Sequence, residues 1–137
     1  MTEKTHAVPN GVIHYWMNDF QPGRAVLVFL PGLTADHRLF DKQVEAFEST
    51  YNLLAWDAPG HGKSRPFVMD FTLAQKAAWL HAILQAEGIT APVLVGQSVG
   101  GYLSQAYIQA YPGEVRGFVS IDLSLIHISE PTRLGMI

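Results

Sequence analysis

Val93-Leu94-Val95-Gly96-Gln97-Ser98-Val99-Gly100-Gly101 is the stretch on which the fold turns. Three apolar residues without alternation suit a short strand covered on both faces. Beyond the serine, Val99, Leu103, Ala106 and Ala110 fall at helical spacing on one face. A serine between strand and helix occupies a sharp, strained turn, so its neighbours must be small enough for close approach. Gly96 and Gly100 remove side chains that would collide across that turn. A plain serine helix cap followed by two glycines is the blander alternative, and the short pattern alone does not exclude it. The strand before it and the helix after it favour the strained turn.

Working outward, the same alternation recurs. Pro9-Asn10-Gly11 separates two short β-like runs, and Asn-Gly suits a tight hairpin because both residues tolerate positive φ. The second run, Val12 to Met17, is aromatic and β-branched. Ala25 to Leu30 is a continuous apolar run stopped by Pro31-Gly32, and the mixture from His37 to Ser49 predicts a helix. Tyr51 to Trp56 is the next buried strand, ended by Asp57-Ala58-Pro59-Gly60. Leu73, Ala77, Leu80 and Leu84 then mark a helical face, with Gly88 as its stop. Tyr111-Pro112-Gly113 closes the helix after Ser98, and Gly117 to Ile121 is the last strand. Repeated strand–helix alternation requires crossovers, which predicts an α/β fold: a mostly parallel sheet with helices on both faces.

Composition narrows the function classes. The chain has 137 residues, is 48% hydrophobic and 15% charged, and carries a net charge of −3, which leaves no basic footprint for nucleic acid. It has no cysteine, which excludes disulfides and thiolate metal sites. The polar start, Met1 to His6, lacks the apolar centre of a signal peptide. No run approaches the roughly 18 apolar residues of a membrane span. The expectation is a cytoplasmic protein without a membrane or nucleic-acid partner.

Three motifs in order carry a resemblance. Gly96-Gln97-Ser98-Val99-Gly100 fits the G-x-S-x-G elbow. Leu30-Pro31-Gly32-Leu33-Thr34 resembles the oxyanion loop after a third strand, with Pro31 where histidine is usual. Asp57-Ala58-Pro59-Gly60-His61-Gly62-Lys63-Ser64 resembles a D-x-P-G-x-G-x-S turn after a fourth strand. Over about residues 5 to 122 the chain is similar to the α/β-hydrolase family. The resemblance implies an α/β-hydrolase fold truncated after the sixth strand, and no cofactor or metal is expected from the residues. It implies Ser98 as a nucleophile forming an acyl-enzyme with a small-molecule acyl substrate: an ester, thioester or lactone. The backbone N–H groups of Leu33 and Val99 would hold the oxyanion. Relatives with the same elbow transfer acyl groups, cleave carbon–carbon bonds or form peracids, and the fold also serves non-enzymatic binding proteins.

In that family the acid and the histidine follow the nucleophile. Ser98, Asp122 and His127 have this order, but cap and further strands normally separate acid from base. Asp122 reads better as a polar residue ending a strand. The stretch Leu123 to Arg133 resembles the translation of a transposon adapter used in sequencing libraries. On that resemblance residues 1–122 are the N-terminal part of the hydrolase domain and 123–137 a non-native tail that includes His127. His37 is expected at a helix start or on the surface, and His61 in a loop. Neither these nor His6, His14 and His81 show metal-ligand spacing. Asp57 is expected to bond its own turn. Gly60 and Gly62 lack the remaining residues of a phosphate-binding loop. Trp56, Trp79 and the tyrosines read as core.

Overall fold

The computed structural model describes residues 1–121, so Asp122, His127 and the rest of 123–137 lie outside the described residues. Ten elements follow in order: β1 (Thr2–Val8), β2 (Gly11–Met17), β3 (Val26–Leu30), a 3₁₀ turn (His37–Phe40), α1 (Asp41–Phe47), β4 (Asn52–Trp56), α2 (Leu73–Ala86), β5 (Val93–Gln97), α3 (Val99–Ala110) and β6 (Gly117–Ile121). They form one six-stranded sheet in the order β1-β2-β4-β3-β5-β6. The β1–β2 and β2–β4 pairs are antiparallel, whereas β3 pairs in parallel with β4 and β5, and β5 in parallel with β6. The expected α/β class, mostly parallel with helices on both faces, is the architecture found.

Strand alternation divides the core in two, as a pleat of period two requires. Val28, Leu30, Leu54, Trp56 and Leu94 point to one face, where they meet Leu80, Ile83 and Leu84 of α2 and Leu103 and Tyr107 of α3. Phe29, Leu53, Ala55 and Val95 point to the other, against Phe40 and Val44. β4 is buried along its whole length, which explains its unbroken apolar run.

Three expectations needed correction in detail. The hairpin forms, but Val8 pairs with Gly11, so its loop is Pro9-Asn10 and Asn10 keeps a negative φ. Proline fixes its own φ there. The Asn10 amide is tied instead to the following segment, donating to Val68 O at 2.8 Å and to Asp70 Oδ1 at 2.7 Å. The helix read over 37–49 is split into the 3₁₀ turn and the short α1. In α3 the buried stripe is Gly100, Leu103, Ser104 and Tyr107, while Ala110 is exposed. Tyrosine buries more apolar area than alanine, so it takes the inward position. α2 ends as read. Ile89 N–H donates to Leu84 O at 2.8 Å and Gly88 N–H to Gln85 O at 3.0 Å, with Gly88 at φ 73, a Schellman cap.

Leu94 on β5, flanked by β3 and β6, has no exposure, whereas Val119 on the edge strand β6 is 44% exposed. Leu94→Ala should therefore lower unfolding free energy by about 2–5 kcal/mol. Val119→Ala should change it by less than about 0.5 kcal/mol. Urea denaturation of the chain checks both, and equal midpoints for the two variants would contradict this division of the core.

Candidate active site

The backbone at Ser98 is the first feature of the site. At φ 54 and ψ −115, Ser98 is a positive-φ residue between the end of β5 and the first turn of α3. Such a conformation is costly for a residue with a side chain and persists only where surroundings over-determine it. Ser98 N–H donates to Ile121 O of β6 at 2.9 Å, and Ser98 O accepts from Gly101 N–H at 2.8 Å. The glycines supply clearance. A Cβ at Gly96 would lie 2.4 Å from Gly100 O, confirming the expected conflict across the turn. A Cβ at Gly100 would lie 2.0 Å from Leu30 O, so this glycine lets α3 rest on β3 instead.

Leu30 leads into the expected oxyanion loop. Gly32 N–H donates to Gln97 Oε1 at 2.8 Å. A Cβ on Gly32 would fall 3.0 Å from Ser98 Cβ, which places the loop against the elbow. The loop then turns, with Ala35 N–H donating back to Gly32 O at 3.2 Å and Thr34 at φ 65. Thr34 and Ser98 are the two non-glycine residues with positive φ among the described residues. Between the committed Gly32 and Ala35 N–H groups lies Leu33, whose side chain is 65% exposed. Val99 is the first residue of α3, where an N–H has no intrahelical acceptor.

The third motif is a self-bonded turn. Asp57 is fully buried, and its Oδ2 accepts Lys63 N–H at 2.8 Å, the local bond expected of it. Ser64 Oγ donates to Asp57 O at 2.6 Å and accepts His14 N–H at 2.9 Å. Gly62 is needed because a Cβ there would lie 2.2 Å from Asp57 Oδ2. Gly62 thus makes room for a carboxylate, and a Cβ at Gly60 would lie 2.5 Å from Met69 Sδ, so no phosphate is required to explain either glycine.

Asp57 also reaches beyond its turn, which local sequence did not signal. Its Oδ1 accepts His37 N–H at 2.7 Å and lies 2.8 Å from His37 Nδ1. The His37 ring stacks on Trp16 with centroids 3.4 Å apart. His37 does start a helical turn, as read, but it is half-buried and anchored. Asp36, His37 and Asp57 offer three ligand atoms within 4.8 Å of one another, a grouping that sequence spacing did not reveal. Protein donors already engage them: Arg38 bonds Asp36 through Nε and Nη2 and holds its carboxyl below the usual range. Three further histidines have partners of their own. His14 pairs with Glu3, His81 with Glu114, and His61 Nδ1 lies 3.1 Å from Pro59 O. Trp56 is fully buried and Trp79 packs partly buried against the same core. No helix among the described residues is long and apolar enough to cross a membrane.

Strand order, elbow and flanking loops define an α/β-hydrolase architecture, and comparison with known proteins agrees. The α/β hydrolase fold family matches residues 25–135, and the chain belongs to that family. Lipase 3 of Moraxella sp. (strain TA144) is 31% identical over 110 residues, 79% of this chain and 34% of that protein. The magnesium-chelatase 30 kDa subunit of Rhodobacter capsulatus is 32% identical over 119 residues, 85% of this chain and 41% of that protein. Among solved structures, the N-acyl homoserine lactonase AidH complexed with N-butanoyl homoserine superposes with a TM-score of 0.77 at 25% identity, covering 88% of this chain and 44% of that one. The chain spans less than half the length of the curated relatives it matches.

Two uses of glycine in this chain, close approach at Gly100 and positive φ at Gly88, can be separated by substitution. Gly100→Ala drives a Cβ into a backbone carbonyl and should cost more than about 4 kcal/mol, abolishing a cooperative thermal transition. Gly88 has open space around its Cβ position and only its φ of 73 to oppose a side chain. Gly88→Ala should therefore cost about 1–2 kcal/mol. Differential scanning calorimetry distinguishes the two, and a Gly100→Ala protein as stable as wild type would refute the close-approach argument.

Proposed function

We propose that Ser98 is the nucleophile of a serine hydrolase that cleaves a small ester, thioester or lactone. The observation that carries this reading is the conformation of Ser98 itself, φ 54 and ψ −115, at a strand-to-helix turn packed against the Gly32 loop. Strain of this kind marks functional positions. In the proposed reaction Ser98 Oγ attacks the carbonyl carbon and its proton passes to a histidine base. The leaving alcohol, thiol or ring oxygen takes that proton as the acyl bond breaks, and water then hydrolyses the acyl-enzyme. The N–H groups of Leu33 and Val99 face the developing oxyanion, where losing one donor typically costs about 3 kcal/mol of transition-state stabilisation. The lipase and lactonase names among the relatives support acyl chemistry of this class.

The base is proposed to come from outside the described residues. Between Val99 and Ile121 the sequence has no histidine, and Glu114 is its one acidic residue there. Glu114 pairs with His81 through a 3.1 Å contact. A second reading, a non-enzymatic binding protein on the same fold, takes its motive from a relative named as a subunit of a larger enzyme, the magnesium-chelatase 30 kDa subunit. The elbow strain argues for the enzyme.

Full-length protein should label with a fluorophosphonate probe and hydrolyse p-nitrophenyl acetate, and Ser98→Ala should abolish both. Absence of labelling in the wild type would favour the binding reading. Because the proposed donors are main chain, Leu33→Ala and Val99→Ala should each change kcat/KM by no more than roughly tenfold. The 137-residue chain alone should turn over esters only at the residual level left when a triad loses its base.

A further inference from the structure

We propose that Gln97 is a positioning residue that sets where the Leu33 N–H lies relative to Ser98. The inference rests on the reading of Ser98 as nucleophile and Leu33 as oxyanion donor. Gln97 precedes Ser98 and ends β5, and in the elbow pattern its place is occupied by any residue. Here its side chain folds back to accept the Gly32 N–H at 2.8 Å, a half-buried bond between residues 65 apart in sequence. Gly32 has no slack around this bond. A Cβ there would lie 2.4 Å from Gln97 Oε1, 2.7 Å from Gln97 O and 3.0 Å from Ser98 Cβ. The loop is therefore pressed onto the two residues of the elbow.

Leu33 is the next residue after this contact, and Thr34, at φ 65, follows it. A threonine in that conformation relaxes unless its neighbours forbid it. The far end of the loop is fixed by Asp57, which accepts the His37 N–H at 2.7 Å. The near end is fixed by Gln97. Removing the Gln97 acceptor orphans a half-buried N–H and frees the strained turn to shift away from Ser98. An oxyanion donor displaced by about 1 Å costs on the order of a hundredfold in rate, because its value depends on preorganisation. Ground-state binding of the acyl group depends much less on that N–H, so kcat should carry the loss.

The test uses full-length protein with p-nitrophenyl acetate as substrate and phenylboronic acid as inhibitor. The tetrahedral boronate adduct on Ser98 places an oxygen where the oxyanion forms. Gln97→Met keeps length and removes the acceptor. It should lower kcat roughly 10- to 100-fold, weaken phenylboronic acid by a similar factor and leave KM within about threefold. Wild-type kcat in Gln97→Met, or a loss that falls on KM alone, overturns the proposal. Should Gln97→Met fail to fold, Gln97→Glu and Gln97→Asn carry the comparison. Glutamate retains an acceptor at the same reach and asparagine is one methylene short, so kcat should be higher in Gln97→Glu, and equal or lower kcat overturns the proposal. Failure of the parent reading is separate: it appears as a wild type that neither labels with fluorophosphonate nor depends on Ser98.

Discussion

The site depends on one close approach, the seating of the α3 N-terminus on the carbonyl of Leu30. A methyl group at Gly100 would stand 2.0 Å from that oxygen, so only glycine permits the contact. The consequences run in both directions. Toward the elbow, α3 must begin immediately after β5, which forces Ser98 into positive φ. Toward the neighbouring strand, Leu30 leads into Gly32, which lies against Ser98 because β3 and β5 pair in register, Leu30 opposite Gly96. Sheet pairing and helix packing together hold a conformation that neither local sequence nor propensity would favour.

The same logic of clearance explains a second motif. In the turn after β4, Gly62 makes room for the Asp57 carboxylate, and that carboxylate collects the Lys63 N–H and the His37 N–H. A fully buried carboxylate is costly unless its oxygens are bonded, and here the backbone supplies the bonds. Asp57 thereby ties the turn after β4 to the segment after β3. Its role is to connect two loops on one rim of the sheet.

The elements were legible in the sequence because apolar periodicity and glycine punctuation are local signals. β4 and β5 read as buried runs, and α2 announced its end at Gly88. What escaped was non-local or depended on side-chain size. Asn10 and Gly11 looked like the turn pair, yet bonds from Asn10 to Val68 and Asp70 made Pro9-Asn10 the loop. Ala110 matched the helical spacing of α3, but Tyr107 had more surface to bury. Within the candidate site, the motifs point to Ser98, Leu33 and Val99, and the structure brings the Gly32 loop against Ser98. The Gln97–Gly32 bond and the Asp57–His37 contact were not, because they join residues 65 and 20 apart. A carbonyl oxygen's reach across a sheet leaves no trace in a window of neighbours.

This division also bears on how one fold can accompany proteins named as a lipase, a lactonase and a chelatase subunit. The features that place Ser98 are backbone clearances: Gly96 against Gly100, Gly100 against Leu30, Gly32 against Ser98. Such clearances tolerate wide change at exposed positions, including Leu33 at 65% exposure. The elbow is therefore a matter of main-chain geometry, indifferent to the side chains at those exposed positions. The constraint that makes the fold easy to recognise is for that reason silent about the acyl group it would accept.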